Sequence, residues 1–125
     1  MKIAVTATGP SLDAAVDPRF GRCPWFVLVE TDDMSFEAVE NRSGMLGGGA
    51  GIQSAQLMAE KGVQTVLTGN CGPNAHQTLS AAGIRVVIGC SGTVSEAAQQ
   101  FKGGQLRASE GPNVGSHSGM GRDPQ

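Results

Sequence analysis

Short apolar runs separated by polar turns set the pattern of this 125-residue chain. Residues 2–8 are apolar and rich in β-branched side chains, which predicts a buried strand. Residues 25–31 (Trp-Phe-Val-Leu-Val-Glu-Thr) predict a second strand. Residues 35–41 alternate weakly as a third, across a turn at Asp32-Asp33, so this pair reads as a hairpin. Residues 9–24 form a long loop punctuated by Gly9-Pro10, Asp17-Pro18 and Cys23-Pro24. A flexible Gly-rich loop is predicted over residues 43–51. The period then changes: Ile52, Ala55 and Ala59, with Leu57 and Met58, supply the apolar face of a helix over residues 52–61, stopped by Gly62. Residues 63–68 predict a strand, and Pro73 opens a helix to residue 82 that Gly83 closes. Residues 84–88 predict the last strand. Thr93, with Glu96 three residues on, predicts a capping box at the head of a helix that ends near Lys102, before Gly103-Gly104.

The order β-β-β-α-β-α-β-α predicts an α/β fold, a mixed five-stranded sheet flanked by helices. The strand–helix–strand units of the second half imply parallel pairing with right-handed crossovers. With the first strand parallel to those at residues 63–68 and 84–88, and the hairpin beside it, five segments converge on one edge of the sheet. They are residues 8–9, 19–24, 43–51, 69–73 and 89–93. All three cysteines, Cys23, Cys71 and Cys90, lie in these segments. Three helix N-termini are expected there too, each with unsatisfied N–H groups and a partial positive charge. Arg19 and Arg22 add formal charge. Glycines before helix starts allow backbone donors to approach an anion closely, and such crevices are the usual ligand sites of open α/β sheets. The chemistry implied is an anion site with soft sulfur nearby.

Composition narrows the options. The formal net charge is −2, with no basic stripe, which argues against a nucleic-acid partner. No apolar stretch is long enough to span a membrane. The first residues read as a strand rather than a signal peptide, so a cytoplasmic location is expected. Three cysteines without a Cys-x-x-Cys pair fit reduced thiols, and no zinc-finger spacing, Gly-x-Gly-x-x-Gly or Walker A motif is present. Cys71 and Cys90 are as much expected to be small buried residues as ligands. Cys23, between Arg22 and Pro24, is the cysteine expected to be reactive or to ligate a metal. Arg19 reads as a site residue or a plain surface charge, and Arg22 as a site residue or an anchor to a carboxylate such as Asp17. His76 is expected to be a surface or packing histidine. From residue 105 the chain is polar and rich in Gly and Ser, so residues 1–104 are expected to be the domain and residues 105–125 a loosely held tail.

Five segments in order carry a resemblance. They are Asp17-Pro18-Arg19-Phe20-Gly21-Arg22-Cys23-Pro24-Trp25-Phe26, Gly48-Gly49-Ala50-Gly51-Ile52-Gln53, and Gly69-Asn70-Cys71-Gly72-Pro73-Asn74-Ala75. Gly92-Thr93-Val94 with Glu96-Ala97, and Gly111-Pro112-Asn113-Val114-Gly115 with His117, complete the set. Together they resemble the nitrogenase iron–molybdenum cofactor biosynthesis family, the NifX-like domain. The resemblance implies an RNase H-like mixed sheet and the binding or carriage of a cofactor without turnover, so no enzyme. The cofactor implied is an anionic molybdenum–copper–sulfide cluster held without covalent attachment, with the iron–molybdenum cofactor or a precursor as the alternative. It also implies proteins that donate or receive the cofactor. Carried onto this chain, the cradle is Arg19, Arg22, Cys23, Gly48, Gly49, Ala50, Gly51, Asn70, Cys71, Gly72, Asn74, Gly92 and Thr93, with Cys23 as the candidate metal ligand. Two other classes stand beside this reading: a regulatory or protein-interaction module of the same fold, and an RNase H-like nuclease. The nuclease needs clustered carboxylates on the central strands, and neither residues 2–8 nor residues 63–68 carry one.

Overall fold

The computed structural model describes residues 1–42, 49–106 and 108. Strands β1 (Lys2–Ala7), β2 (Trp25–Glu30) and β3 (Phe36–Glu40) precede α1 (Ala50–Glu60), β4 (Thr65–Leu67), α2 (Pro73–Ala81), β5 (Arg85–Val87) and α3 (Val94–Lys102). They build a mixed five-stranded sheet in the order β3-β2-β1-β4-β5. β1 runs parallel to β4, and β4 to β5, while β2 is antiparallel to both β1 and β3. The expected mixed α/β sheet is therefore the one observed.

Side-chain alternation along the strands makes two cores. Ala4, Phe26, Leu28, Val66 and Val86 face Ala55 and Met58 of α1 and Ala75 and Leu79 of α2. Ile3, Val5, Val27, Val29, Leu67 and Val87 face Val94, Ala97 and Ala98 of α3. Both faces of the central strands are covered, which is why their sequences read as near-continuous apolar runs.

Two boundaries differ from the sequence pattern. The first helix begins at Ala50, two residues before the expected start, because Gly49 and Gly51 hide a helical turn inside a segment that reads as loop. β4 and β5 are shorter than their apolar runs. The first core also draws on Val63, before β4, and Ile84, before β5, so apolar character extends past the ladder. The long loop after β1 is tightly held. Isolated bridges join Ala7 to Val16, Ala15 to Thr93 and Arg19 to Asn70, fastening it to the ends of β1, β4 and β5. Gln105, Leu106 and Ala108 are the only tail residues described, and Leu106 packs on the second core.

Candidate functional site

The parallel run of β1, β4 and β5 brings their C-terminal ends to one edge of the sheet. The start of β2 and the end of β3 lie there as well, since Trp25 pairs with both Ala7 and Glu40. The loop carrying Arg19 and Arg22 is locked onto this edge from two sides. On the β4 side, Asn70 N donates to the Pro18 carbonyl at 2.7 Å and Asn70 Nδ2 to the same oxygen at 3.1 Å, while Phe20 N donates to the Asn70 carbonyl at 3.2 Å. On the α1 side, Asn41 Nδ2 donates to the carbonyls of Gly21 (3.0 Å) and Cys23 (2.7 Å), and Ser54 Oγ of α1 donates to Asn41 Oδ1 at 3.4 Å. Asn41 is buried, and in the sequence nothing marks it beyond the end of a strand.

Close backbone approach completes the arrangement. Gly21 has φ +94, and a Cβ there would lie 3.0 Å from Gly51 Cα; a Cβ on Gly51 would lie 3.1 Å from Ala75 Cβ. The first turn of α1 thus touches both the Arg22 turn and the first turn of α2.

The two arginines have different fates. Arg19 Nε donates to Asp17 Oδ1 and its terminal nitrogen to Oδ2, both at 3.2 Å, and Arg19 N donates to Oδ1 at 2.9 Å. This hydrogen-bonded pairing raises the Arg19 pKa above its ordinary value. Asp17 is only 3 % exposed, so Arg19 supplies the counter-charge that a buried carboxylate requires. The expectation that Arg22 anchors the loop through Asp17 is corrected: Arg19, two residues away and able to close a bidentate fork, does so instead. Arg22 is exposed, and its side chain has no ion pair among the described residues.

The three helix N-termini are not equivalent. No side chain caps α1, whose N-cap Gly49 is left-handed, or α2, whose N-cap is Gly72 followed by Pro73. At α3 the capping box is closed: Glu96 N donates to Thr93 Oγ1 (3.1 Å) and Thr93 N to Glu96 Oε1 (2.9 Å). Val94 N and Ser95 N donate to the carbonyls of Ala14 and Leu12, both at 2.9 Å. The expectation of three open N-termini fails at α3, because the Thr93–Glu96 box and the β1–β2 loop occupy its donors and add a carboxylate. Gly92 is likewise engaged, its carbonyl accepting from Val16 N at 2.8 Å. Gly92 and Thr93 therefore fasten the loop.

All three cysteines sit near this edge, on different faces. Cys23 and Cys71 belong to the core under α1 and α2, and Cys90 to the core under α3. They are 0 %, 1 % and 8 % exposed. Burial, with the nearby Asp17 charge, pushes the Cys23 thiol up to about 12, and burial pushes Cys71 and Cys90 up to about 11. Cys23 is thus a fully buried core residue, where its place in a loop between arginine and proline pointed to a reactive thiol or a metal ligand. Its neighbour Arg22 points out of the fold and lends the sulfur no charge. His76 is buried, as the packing alternative expects. Asn74 is exposed in the first turn of α2. Gly48, Met45, His117 and the segment 111–117 lie outside the described residues.

The donor set combines an exposed guanidinium, two helix starts without side-chain caps and protonated thiols. It fits an anion held by charge and hydrogen bonds better than a metal ion held by thiolates. No group of three or more His, Cys, Asp or Glu side chains among the described residues is placed to hold a metal ion. A separate cleft of about 550 Å³ between β3 and α1 is lined by Glu40 and Glu60 as well as Arg42 and Lys61, a mixed charge that does not select an anion.

Residues 1–104 match the family described as dinitrogenase iron-molybdenum cofactor. The apo form of the orange protein from Desulfovibrio gigas shares 49 % identity and a TM-score of 0.88, over 90 % of this chain and 96 % of that one. A NifB-like protein from Thermotoga, solved by NMR, shares 31 % identity and a TM-score of 0.74 over 98 % of each chain. An uncharacterized protein of Methanocaldococcus jannaschii is 34 % identical over 115 residues, 88 % of this chain and 92 % of its own.

Proposed function

The chain belongs to the dinitrogenase iron–molybdenum cofactor family, and on that premise we propose that it binds and carries an anionic metal–sulfur cofactor without turning it over. The observation that carries this reading is the seating of the first turn of α1 between the Arg22 turn and the first turn of α2, seen in the approach of Gly21 to Gly51 and of Gly51 to Ala75. An exposed arginine turn and two helix starts without side-chain caps then lie side by side at the sheet edge. A multiply charged, sulfide-rich anion needs this combination of fixed charge and backbone donors at little cost in conformational entropy.

The cargo assigned is a molybdenum–copper–sulfide cluster, in preference to the iron–molybdenum cofactor or its precursor. That choice follows the resemblance carried by the five sequence segments; the orange protein, 49 % identical, was solved in an apo form, which fits a protein that takes up a separate cargo. Arg22 supplies charge and a fork that meets two sulfides at once. Gly49, Ala50 and Gly51 supply N–H donors from α1, and Gly72 and Asn74 shape the α2 side. Asn70 holds the loop in place through Pro18. Arg19 acts through the loop, by neutralising Asp17. Cys23 and Cys71 contribute packing, and the metals keep their own sulfide ligands. Donor and acceptor proteins for the cargo, in the cytoplasm, complete the role.

The test is anaerobic titration of the apo protein with tetrathiomolybdate and copper(I), followed by visible absorbance and gel filtration. A new visible band that co-elutes with the protein at fixed molybdenum and copper per chain is expected. Free elution of both metals sinks the proposal, and Mg²⁺-dependent phosphodiesterase activity would favour the nuclease alternative.

A further inference from the structure

The Arg22 side chain is exposed, but its backbone is pinned. The residues on either side of it, Gly21 and Cys23, are buried. The Arg19 carbonyl accepts from Arg22 N at 3.2 Å and from Cys23 N at 3.0 Å, so the peptide units before and after Arg22 are both engaged. The Asn41 amide directs both of its protons at the same turn, donating to the Gly21 carbonyl at 3.0 Å and to the Cys23 carbonyl at 2.7 Å. These acceptors lie one before and one after Arg22 in the chain. The Asn41 side-chain oxygen accepts from Ser54 Oγ of α1 at 3.4 Å, and Asn41 N donates to the Pro24 carbonyl at 2.9 Å. The residue type matters here, because an amide offers two donor protons and an acceptor oxygen at one tip. A carboxylate of the same shape would oppose both carbonyls, and a hydroxyl could donate to only one.

We infer that Asn41 is a positioning residue for cargo binding: by holding the carbonyls that flank Arg22, it presents the guanidinium from a turn that is already ordered. The inference rests on the carrier reading above. Asn41 is only 5 % exposed, so it acts through Arg22 and not on the cargo itself. Ordering a backbone turn at the moment of binding costs free energy, and a turn fixed beforehand by internal hydrogen bonds does not lose that freedom again. Without the amide, the Gly21 and Cys23 carbonyls lose a buried donor. Leaving such groups unpaired is unfavourable, so the turn shifts to find other partners and carries Arg22 with it.

The test is a double-mutant cycle in affinity on the full-length protein. Wild type, Asn41→Ala, Arg22→Ala and the double variant are each titrated with tetrathiomolybdate and copper(I) by visible absorbance, at a temperature where urea unfolding shows them folded. Asn41→Ala is expected to weaken uptake about tenfold in the wild-type background, and by less than about twofold once Arg22 is already alanine. Equal losses in the two backgrounds overturn the inference, because a residue that only supports the fold acts with or without the arginine. Either single variant binding like wild type overturns it as well. A second measurement needs no variant. In ¹⁵N-labelled wild type the Asn41 Nδ2 protons are expected to exchange slowly with heavy water before and after loading, and rapid exchange in the loaded protein overturns the inference even if Asn41→Ala fails to fold. Wild-type protein that takes up no cargo overturns the carrier reading and this inference together; uptake with additive losses overturns this inference alone.

Discussion

Gly21 and Gly51 meet backbone to backbone. Gly21 holds φ +94, and any Cβ there would sit 3.0 Å from Gly51 Cα and 3.2 Å from Gly51 N. Two demands fall on one residue: a left-handed backbone and the absence of a side chain. The contact seats the arginine turn on the first turn of α1.

Gly21→Ala is therefore expected to destabilise the fold by about 1–3 kcal/mol, the usual range for a non-glycine residue in strained backbone. It should also weaken cargo binding by displacing Arg22. Gly49 is also left-handed, at φ +82, but a Cβ there meets nothing within 4 Å. Gly49→Ala should carry only the cost of the left-handed conformation, about 1–2 kcal/mol. Urea unfolding of both variants measures the difference, and equal losses would show that the Gly51 contact adds nothing.

Arg22→Ala is expected to cost about 1–3 kcal/mol of cargo binding, the range for a charge-assisted hydrogen bond, with little loss of stability because the side chain is exposed. Cys23→Ser should do the reverse. Its sulfur is fully buried, and a hydroxyl in its place lowers stability by about 1–3 kcal/mol while leaving affinity near wild type. Visible titration and urea unfolding of the pair separate the two effects. A larger affinity loss in Cys23→Ser would establish thiolate ligation.

Much of this was legible in the chain. Pro73 at the start of α2, the Thr93–Glu96 box and the apolar runs of the strands are local signals whose physics does not depend on what surrounds them. The convergence of the loops followed from strand direction alone. What could not be read was the partner of each polar group. Asp17 lies two residues from Arg19 and five from Arg22, and only the fold of the loop selects Arg19. Cys23 has the flanks of an exposed thiol, yet the turn from Arg19, closed by Cys23 N donating to the Arg19 carbonyl at 3.0 Å, folds its side chain into the core. Asn41 carries no motif at all; its role lies in two carbonyls about 20 residues away in sequence.

The cysteines predict a loss of stability at alkaline pH. Their ordinary thiol value is 9.0, and the folded chain holds Cys23 at about 12 and Cys71 and Cys90 at about 11. Below pH 9 both folded and unfolded thiols are protonated, and stability does not depend on them. Between pH 9 and about 11–12 the unfolded chain releases protons that the folded chain retains, so stability falls with rising pH across that window. The chain has no tyrosine to confuse the readout. Urea midpoints measured from pH 7 to 11 should decline above pH 9, and more gently in a Cys71→Ala, Cys90→Ala variant. At pH 8 the native thiols should react with a disulfide reagent only as fast as the chain opens.

The α3 cap separates fastening from binding. Thr93 was a candidate for the cradle, but its hydroxyl accepts from Glu96 N and its own N–H donates to the Glu96 carboxylate. Ala15 bridges to Thr93, and Val94 N holds the Ala14 carbonyl, so this corner anchors the long loop to the sheet. Thr93→Ala removes one half of the box and is expected to cost about 1 kcal/mol of stability, the usual worth of an N-cap. Glu96→Gln keeps an acceptor for Thr93 N but removes the charge near the helix N-terminus, so it should cost less, about 0.3–1 kcal/mol. Neither change touches Arg22 or the first turns of α1 and α2, so both variants should bind cargo within about twofold of wild type under conditions where they are fully folded. Stability is read by urea unfolding and affinity by visible titration on the same preparations. A tenfold gain of affinity in Glu96→Gln would mean that the Glu96 charge opposes the anion directly, which would return the start of α3 to the site.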